Sequence, residues 1–222
     1  MSFDFYWPKN SLKDFESYQG IKNNNEKFDI SNNCEAQNQK RSLLNTLKEK
    51  KRLDRSLIFA NQDNNFVFDD GNIDSDIMFI GEAPGEEEDK LQKPFVGKSG
   101  QLLRLFLKEA NIFDFYITNI VSWRPPYNRT PTNDEIACMK PFIIEHIKII
   151  DPKIIVTVGT TALKALGVLS TITNTQGTLL KLDIGNVFPI YHPSYALRVS
   201  SKKKELWISL LKLYKISQSI IE

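Results

Sequence analysis

Four short runs of apolar, β-branched and aromatic residues punctuate the chain from Asp76 onward: Asp76–Ile80 (DIMFI), Phe115–Asn119 (FYITN), Lys153–Val158 (KIIVTV) and Val187–Tyr191 (VFPIY). Runs of this length with little polar alternation suit strands buried on both faces of a parallel sheet. Between them, apolar positions recur at helical spacing. Gly100–Asn111 carries Leu103, Leu107 and Ala110 on one side. Thr132-x-x-Glu135 is a capping box, in which hydroxyl and carboxylate satisfy free amides at a helix start. The helix it opens carries Ile136, Phe142, Ile143 and Ile147 inward and stops at Asp151-Pro152. Thr160–Leu166 ends at Gly167, a left-handed cap. Leu206, Leu210 and Leu213, with Trp207, Leu211 and Tyr214, mark a last amphipathic helix. Strands alternating with helices imply right-handed crossovers, helices on both faces and a ligand site at the carboxyl ends of the strands. The predicted fold class is α/β: three layers, α/β/α, around a central, mainly parallel four-stranded sheet.

The first 70 or so residues read differently. They hold polar Asn-rich runs (Lys22 to Asn25, Asn61 to Asn65) and no Val or Ile cluster of strand length. Two helical patches stand out, Asn10–Tyr18 and Asn38–Asp54, the second with Leu43, Leu44, Leu47 and Leu53. We therefore expect an N-terminal helical extension over residues 1–70 and an α/β domain over residues 71–222.

Composition narrows the class. With 222 residues, 41% hydrophobic and 25% charged, the chain suits one globular core and is a poor fit to a disordered or coiled-coil protein. No run approaches ~18 consecutive apolar residues, and the start lacks a basic-then-apolar signal pattern, which argues against a membrane span and against export. Two cysteines are no disulfide framework, so a cytoplasmic protein is expected. The net charge of +2 does not by itself announce a nucleic-acid binder. From Ile190 onward, however, Arg198, Lys202, Lys203, Lys204, Lys212 and Lys215 face only Glu205 and Glu222, while Glu86 to Asp89 is a compact acidic cluster. On charge alone both read as solvated surface.

The segments that carry chemistry follow the predicted strands. Gly81-Glu82-Ala83-Pro84-Gly85 is a Gly/Pro loop whose amides can approach a ligand, with Glu82 as acceptor or base; a strand-to-helix turn with a capping Glu is the structural alternative. Lys93-Pro94-Phe95-Val96-Gly97 holds an aromatic that either stacks on a base or folds back onto the core. Asn119 has a donor and an acceptor, which suit an edge presenting both, such as uracil N3–H and O4, or the capping of a turn. Arg124-Pro125-Pro126-Tyr127-Asn128-Arg129 comes next, and His192-Pro193-Ser194-Tyr195-Ala196-Leu197-Arg198 follows the fourth strand. The other histidine, His146, lies mid-helix and reads as structural.

In their joint order, GEAPGEEEDKLQKPFVGKSGQLL, YITNIVSWRPPYNRTPTNDEIACMKPF and YHPSYALR closely resemble the motif blocks of family-4 uracil-DNA glycosylases, the bacterial and archaeal iron–sulfur type. The resemblance runs from about Asp76 to Leu213. It implies a glycosylase fold and a hydrolase that flips uracil out of DNA, cleaves its N-glycosidic bond and leaves an abasic site. Carried onto matching positions, it makes Glu82 and His192 catalytic, with His192 facing uracil O2. Ala83, Phe95, Asn119 and Asn128 bind substrate: Phe95 stacks on the base and Asn119 reads its pairing edge. Arg198 ends a loop that faces DNA.

The sequence departs from the family at its cofactor. The resemblance implies a [4Fe–4S] cluster held by four cysteines. Cys138 matches one of them; the position before Arg124-Pro125-Pro126 is Trp123; and near the start Cys34 has Gln37 where the second member of a CxxC pair would stand. No cofactor and no metal are therefore expected, with Cys138 and Cys34 as candidate remnants of the cluster site. The expected protein is a monomer acting on uracil-containing DNA. The alternative is a catalytically degenerate homologue that binds such DNA without cleavage. A nucleotide-binding protein is disfavoured, because neither GxxxxGK[ST] nor GxGxxG is present.

Overall fold

Period-2 side-chain alternation in the strands divides the interior into two apolar layers, one on each sheet face. Met78 and Ile80, Tyr116, Ile155 and Val187 face one layer; Ile77 and Phe79, Ile117, Ile154 with Val156 and Val158, and Phe188 with Ile190 face the other. The computed structural model describes residues 30–54 and 64–221, with the side chains of residues 30–34 excepted. The predicted patch Asn10–Tyr18 and the Cys34 side chain lie outside the described residues.

In chain order the elements are α1 (Ile30–Leu53), β1 (Asp69–Gly71), β2 (Ile77–Gly81), α2 (Glu86–Leu91), α3 (Lys98–Glu109), β3 (Tyr116–Asn119), a short 3₁₀ turn (Pro126–Asn128), α4 (Asn133–Ile150), β4 (Ile154–Val158), α5 (Thr160–Ala165), α6 (Ile172–Thr175), β5 (Leu180–Leu182), β6 (Gly185–Ile190), α7 (Pro193–Arg198) and α8 (Ser200–Ile221). Among the described residues the strands form one six-stranded sheet in the order β1-β3-β2-β4-β6-β5. The four predicted strands are its parallel centre. Two edge strands that the sequence pattern did not announce, β1 against β3 and β5 against β6, run antiparallel.

The caps explain why the helices start and stop where they do. Thr132 and Glu135 form the expected capping box: the Glu135 amide donates to Thr132 Oγ1 at 3.2 Å and the Thr132 amide to Glu135 Oε2 at 2.7 Å. Asp151 closes α4 in the left-handed conformation, and Gly167 turns at φ 91° after α5. α1 starts eight residues before the predicted helix, and it packs on α4. Its Lys40 Nζ donates to the carbonyls of Ile73 (3.1 Å) and Ile150 (3.0 Å), tying the helix to two loop ends of the domain. Phe68, three residues before the expected domain start, is buried in the α1/α4 layer.

His146 is buried in α4. It stacks on Phe68, and its Nε2 meets the Tyr116 hydroxyl at 2.6 Å, which in turn donates to Asp69 Oδ2 at 2.6 Å. Burial and the nearby Lys51 cation lower the His146 pKa to about 3, so the ring is neutral and Nε2–H can donate to the tyrosine oxygen.

Candidate active site

Because β3, β2, β4 and β6 are parallel, their carboxyl ends share one edge of the sheet. The register sets Gly81 beside Asn119, Ile80 beside Thr157, and Val158 beside Ile190. The residues that follow those ends open around a crevice of about 800 Å³. All seven predicted site residues, Glu82, Ala83, Phe95, Asn119, Asn128, His192 and Arg198, line it.

The floor is fixed by continuation of the ladder past β2. The amides of Ile120 and Val121 donate to the carbonyls of Gly81 (2.9 Å) and Glu82 (3.1 Å), locking the Asn119 and Glu82 segments together. Gly81 is required by close approach rather than by backbone angle: a Cβ there would collide with Asn119 Oδ1 and the Phe95 ring. Asn119 is 3% exposed, and its side-chain amide makes no hydrogen bond among the described residues, which leaves donor and acceptor facing the crevice.

Phe95 folds back onto the core and also lines the crevice. Its ring belongs to the α3/α8 apolar layer at 5% exposure and also forms crevice wall, 6.2 Å from the His192 ring and inclined 30° to it. It sits at a left-handed φ of 56°, and its carbonyl accepts from Arg104 Nε at 3.0 Å; Arg104 in turn pairs with Asp70 at 2.6 Å.

The acidic cluster is a correction to the charge reading. Glu88 is buried, and its carboxylate accepts from the amides of Gly85 (3.2 Å), Val96 (3.0 Å) and Gly97 (2.7 Å), joining the Gly85 loop to the Phe95 loop. Only Glu86, Glu87 and Asp89 remain outside, with Lys90 and Arg124 beside Glu86. A run of four acids gives no sign of which one points inward. Thr161 was likewise missed: its hydroxyl donates to Glu82 Oε2 at 2.6 Å.

His192 caps α7. Its Nδ1 accepts the Ser194 amide at 3.2 Å and lies 2.7 Å from the Ser194 hydroxyl. An Nδ1 that accepts a backbone N–H carries no proton, so the neutral ring holds its proton on Nε2. Burial, and secondarily the Arg198 cation, lower the His192 pKa to about 4, so the ring is neutral near pH 7. Asn128, by contrast, has its side-chain oxygen engaged by Arg124 Nε at 2.7 Å, which makes it a brace of its loop as well as a lining residue.

The family's cluster can be tested against the donors present. Trp123 is buried with its ring 4.8 Å from that of Phe66, and Cys138 packs partly buried against the same layer. With two cysteines in the whole chain, four thiolates cannot be assembled, and no group of three or more His, Cys, Asp or Glu suited to a metal occurs among the described residues. The residues do not fit a four-cysteine cluster. No helix among the described residues is long and apolar enough to cross a membrane.

A parallel sheet with its polar crevice at the strand ends, built from these motif blocks, defines a class: the Uracil DNA glycosylase superfamily profile matches residues 68–211. Within it, the type-4 uracil-DNA glycosylase of Thermotoga maritima is 46% identical over 144 residues, 63% of this chain and 75% of that protein. The type-4 enzyme of Sulfurisphaera tokodaii is 41% identical over 154 residues, 64% of this chain and 70% of its own. A DNA polymerase of Bacillus phage SP01 is similar over 125 residues at 36% identity, a stretch that makes up only 14% of that polymerase. The chain belongs to the type-4 uracil-DNA glycosylase family.

Proposed function

We propose that this protein is an active, monofunctional uracil-DNA glycosylase of base excision repair that works without an iron–sulfur cluster. The observation that carries the reading is the pairing, in one crevice, of a neutral His192 bearing Nε2–H with the Glu82 carboxylate. Breaking the C1′–N1 bond sends the bonding electrons into the uracil ring, where charge collects on O2, and leaves the sugar cationic. Nε2–H donates to O2, a preorganised contact worth ~3–4 kcal/mol in comparable sites. Glu82 favours the cationic sugar and orients water; the water oxygen bonds to C1′, its proton passes to the carboxylate, and uracil leaves as an anion. Phe95 stacks on the extruded base and Asn119 pairs with N3–H and O4. Ala83 supplies backbone at the reacting centre, Asn128 holds the Arg124–Arg129 loop against the crevice, and Arg198 meets the DNA.

The reading includes a monomer in the cytoplasm, with residues 71–222 as the glycosylase domain and residues 1–70 as an extension. Two cysteines and the Phe66–Trp123 packing support the cluster-free form. The test is incubation with a duplex bearing one deoxyuridine, followed by alkali: strand cleavage at that site is expected. Tight binding with no abasic product at excess enzyme over hours would overturn activity in favour of a binding-only homologue.

A further inference from the structure

Tyr127 stands at the rim of the crevice and is 99% exposed. Isolated exposed aromatics are ordinary; the manner in which this one is held is not. Tyr127 lies in the left-handed region (φ 55°, ψ 25°) and Asn128 follows at φ 56°, two successive non-glycine residues in a conformation L-residues avoid. Such a pair persists where its surroundings over-determine it. Here the Asn128 amide donates to the Pro125 carbonyl at 3.0 Å and the Arg129 amide to that of Pro126 at 3.1 Å. Arg124 Nε donates to Asn128 Oδ1 at 2.7 Å. Arg129 clasps the buried Glu135 carboxylate with both terminal nitrogens, at 2.7 and 2.5 Å. Among the described residues the loop is braced at every residue but one, and that one carries the ring. Its cations are committed as well, Arg124 to Asn128 and Glu86, Arg129 to Glu135. Since Pro125, Asn128, Arg129 and Thr130 line the crevice, the ring is presented at its mouth.

We propose that Tyr127 is a base-stacking site that takes a nucleobase of the DNA next to the extruded nucleotide. The proposal rests on the reading of the protein as a DNA glycosylase. Flipping a nucleotide strips its neighbour of a stacking partner, and an aromatic face replaces that partner whatever the neighbour's identity, since every base has a π-face. A ring on an already ordered loop loses little freedom on binding.

The test measures affinity of the full-length protein and its variants for a duplex carrying one 2′-fluoro-arabino-deoxyuridine, which resists cleavage, across a salt series. Tyr127→Ala is expected to weaken binding roughly 10-fold, with Tyr127→Phe and Tyr127→Trp near wild type, and with an unchanged slope of log K against log salt, because a stack releases no counterion. Inhibition of excision by free uracil should be the same for all variants, as the base pocket is untouched. The proposal is overturned if Tyr127→Ala binds within 2-fold of wild type, if Phe behaves like Ala, or if the salt slope falls by about one, the mark of a phosphate contact. Melting temperatures separate these outcomes from misfolding; Tyr127→Gly, which suits the left-handed backbone, serves as the folded ring-free control. Failure of wild type to make abasic product from an ordinary deoxyuridine duplex would instead refute the glycosylase reading.

Discussion

The Thr161 hydroxyl, at the start of α5, donates to Glu82 Oε2 at 2.6 Å, so a carboxylate delivered by β2 is aimed by the segment that follows β4. The carboxylate is held by Oε2 while Glu82 lines the crevice. In the proposed mechanism this makes Thr161 a positioning residue. A hydrogen bond to a charged group is typically worth ~1.5–3 kcal/mol, so Thr161→Ala and Thr161→Val should slow single-turnover excision by roughly 10- to 100-fold. Thr161→Ser should restore most of the rate, and DNA affinity should hardly change in any of the three. Wild-type rates in the alanine variant would remove Thr161 from the mechanism.

In the proposed mechanism the His192 donor acts mainly in the transition state, so His192→Ala should cut the single-turnover rate by about 10²–10³ with affinity for uracil-containing DNA nearly unchanged. Ring-nitrogen NMR should show an Nε2–H tautomer that titrates near pH 4, and Arg198→Gln should raise that midpoint, because the guanidinium opposes the imidazolium. The sign for stability follows: with the folded pKa lowered from 6.5 to about 4, the unfolded chain binds more protons between those values. This contribution is complete above pH 6.5, is lost as pH falls toward 4, and should vanish in the alanine variant. A midpoint above 6 would contradict the buried, neutral ring.

On the proposed base-reading role, replacing Asn119 by Asp puts an acceptor where uracil O4 needs a donor. A buried unmade bond costs ~1–3 kcal/mol, more when charge is involved, so excision of uracil should fall at least 10-fold, and cytosine, whose N4 is a donor, should become relatively less disfavoured. Unchanged uracil kinetics would refute base reading by Asn119.

Lys51 of α1 is 1% exposed, with Nζ 3.4 Å from the Ile120 carbonyl, the residue after Asn119. Burial pushes its pKa down to about 7. Between pH 7 and the ordinary value of 10.5 the unfolded chain binds more protons, so stability should rise with pH across that window, at a slope approaching ~1.4 kcal/mol per unit. Denaturant titrations of Lys51→Met should lose this alkaline rise. A parallel slope in wild type and variant would assign the effect elsewhere.

Chelation offers a further check. Purified protein should lack a visible iron–sulfur absorption band, and incubation with a chelator should leave excision and melting temperature unchanged. Near-stoichiometric bound iron would overturn the cluster-free reading.

The centre of the sheet was legible because a strand buried on both faces must be apolar almost throughout, and Ile154–Val158 is the clearest case. β1 and β5 were not, since three-residue edges such as Asp69-Asp70-Gly71 hold their shape by pairing, not by composition. Glu82, Asn119 and His192 could be located because strand ends and motif order mark them. Glu88 and Thr161 could not: one hides among three acids of identical look, and the other reads as an ordinary helix start, although each acts through a partner distant in sequence or fold. Ring stacking and hydrogen bonding across loops leave no periodic trace in a single chain.

The crevice takes one contributor from the end of each of the four parallel strands. With neighbouring strands ~4.8 Å apart, its floor spans roughly 14 Å, the full width of the parallel centre. No fragment that lacks a strand contains a smaller version of the site. The crevice is therefore a property of the whole parallel centre: residues that follow β2, β3, β4 and β6 all line it, so the strand order that builds the core also sets the width of the site.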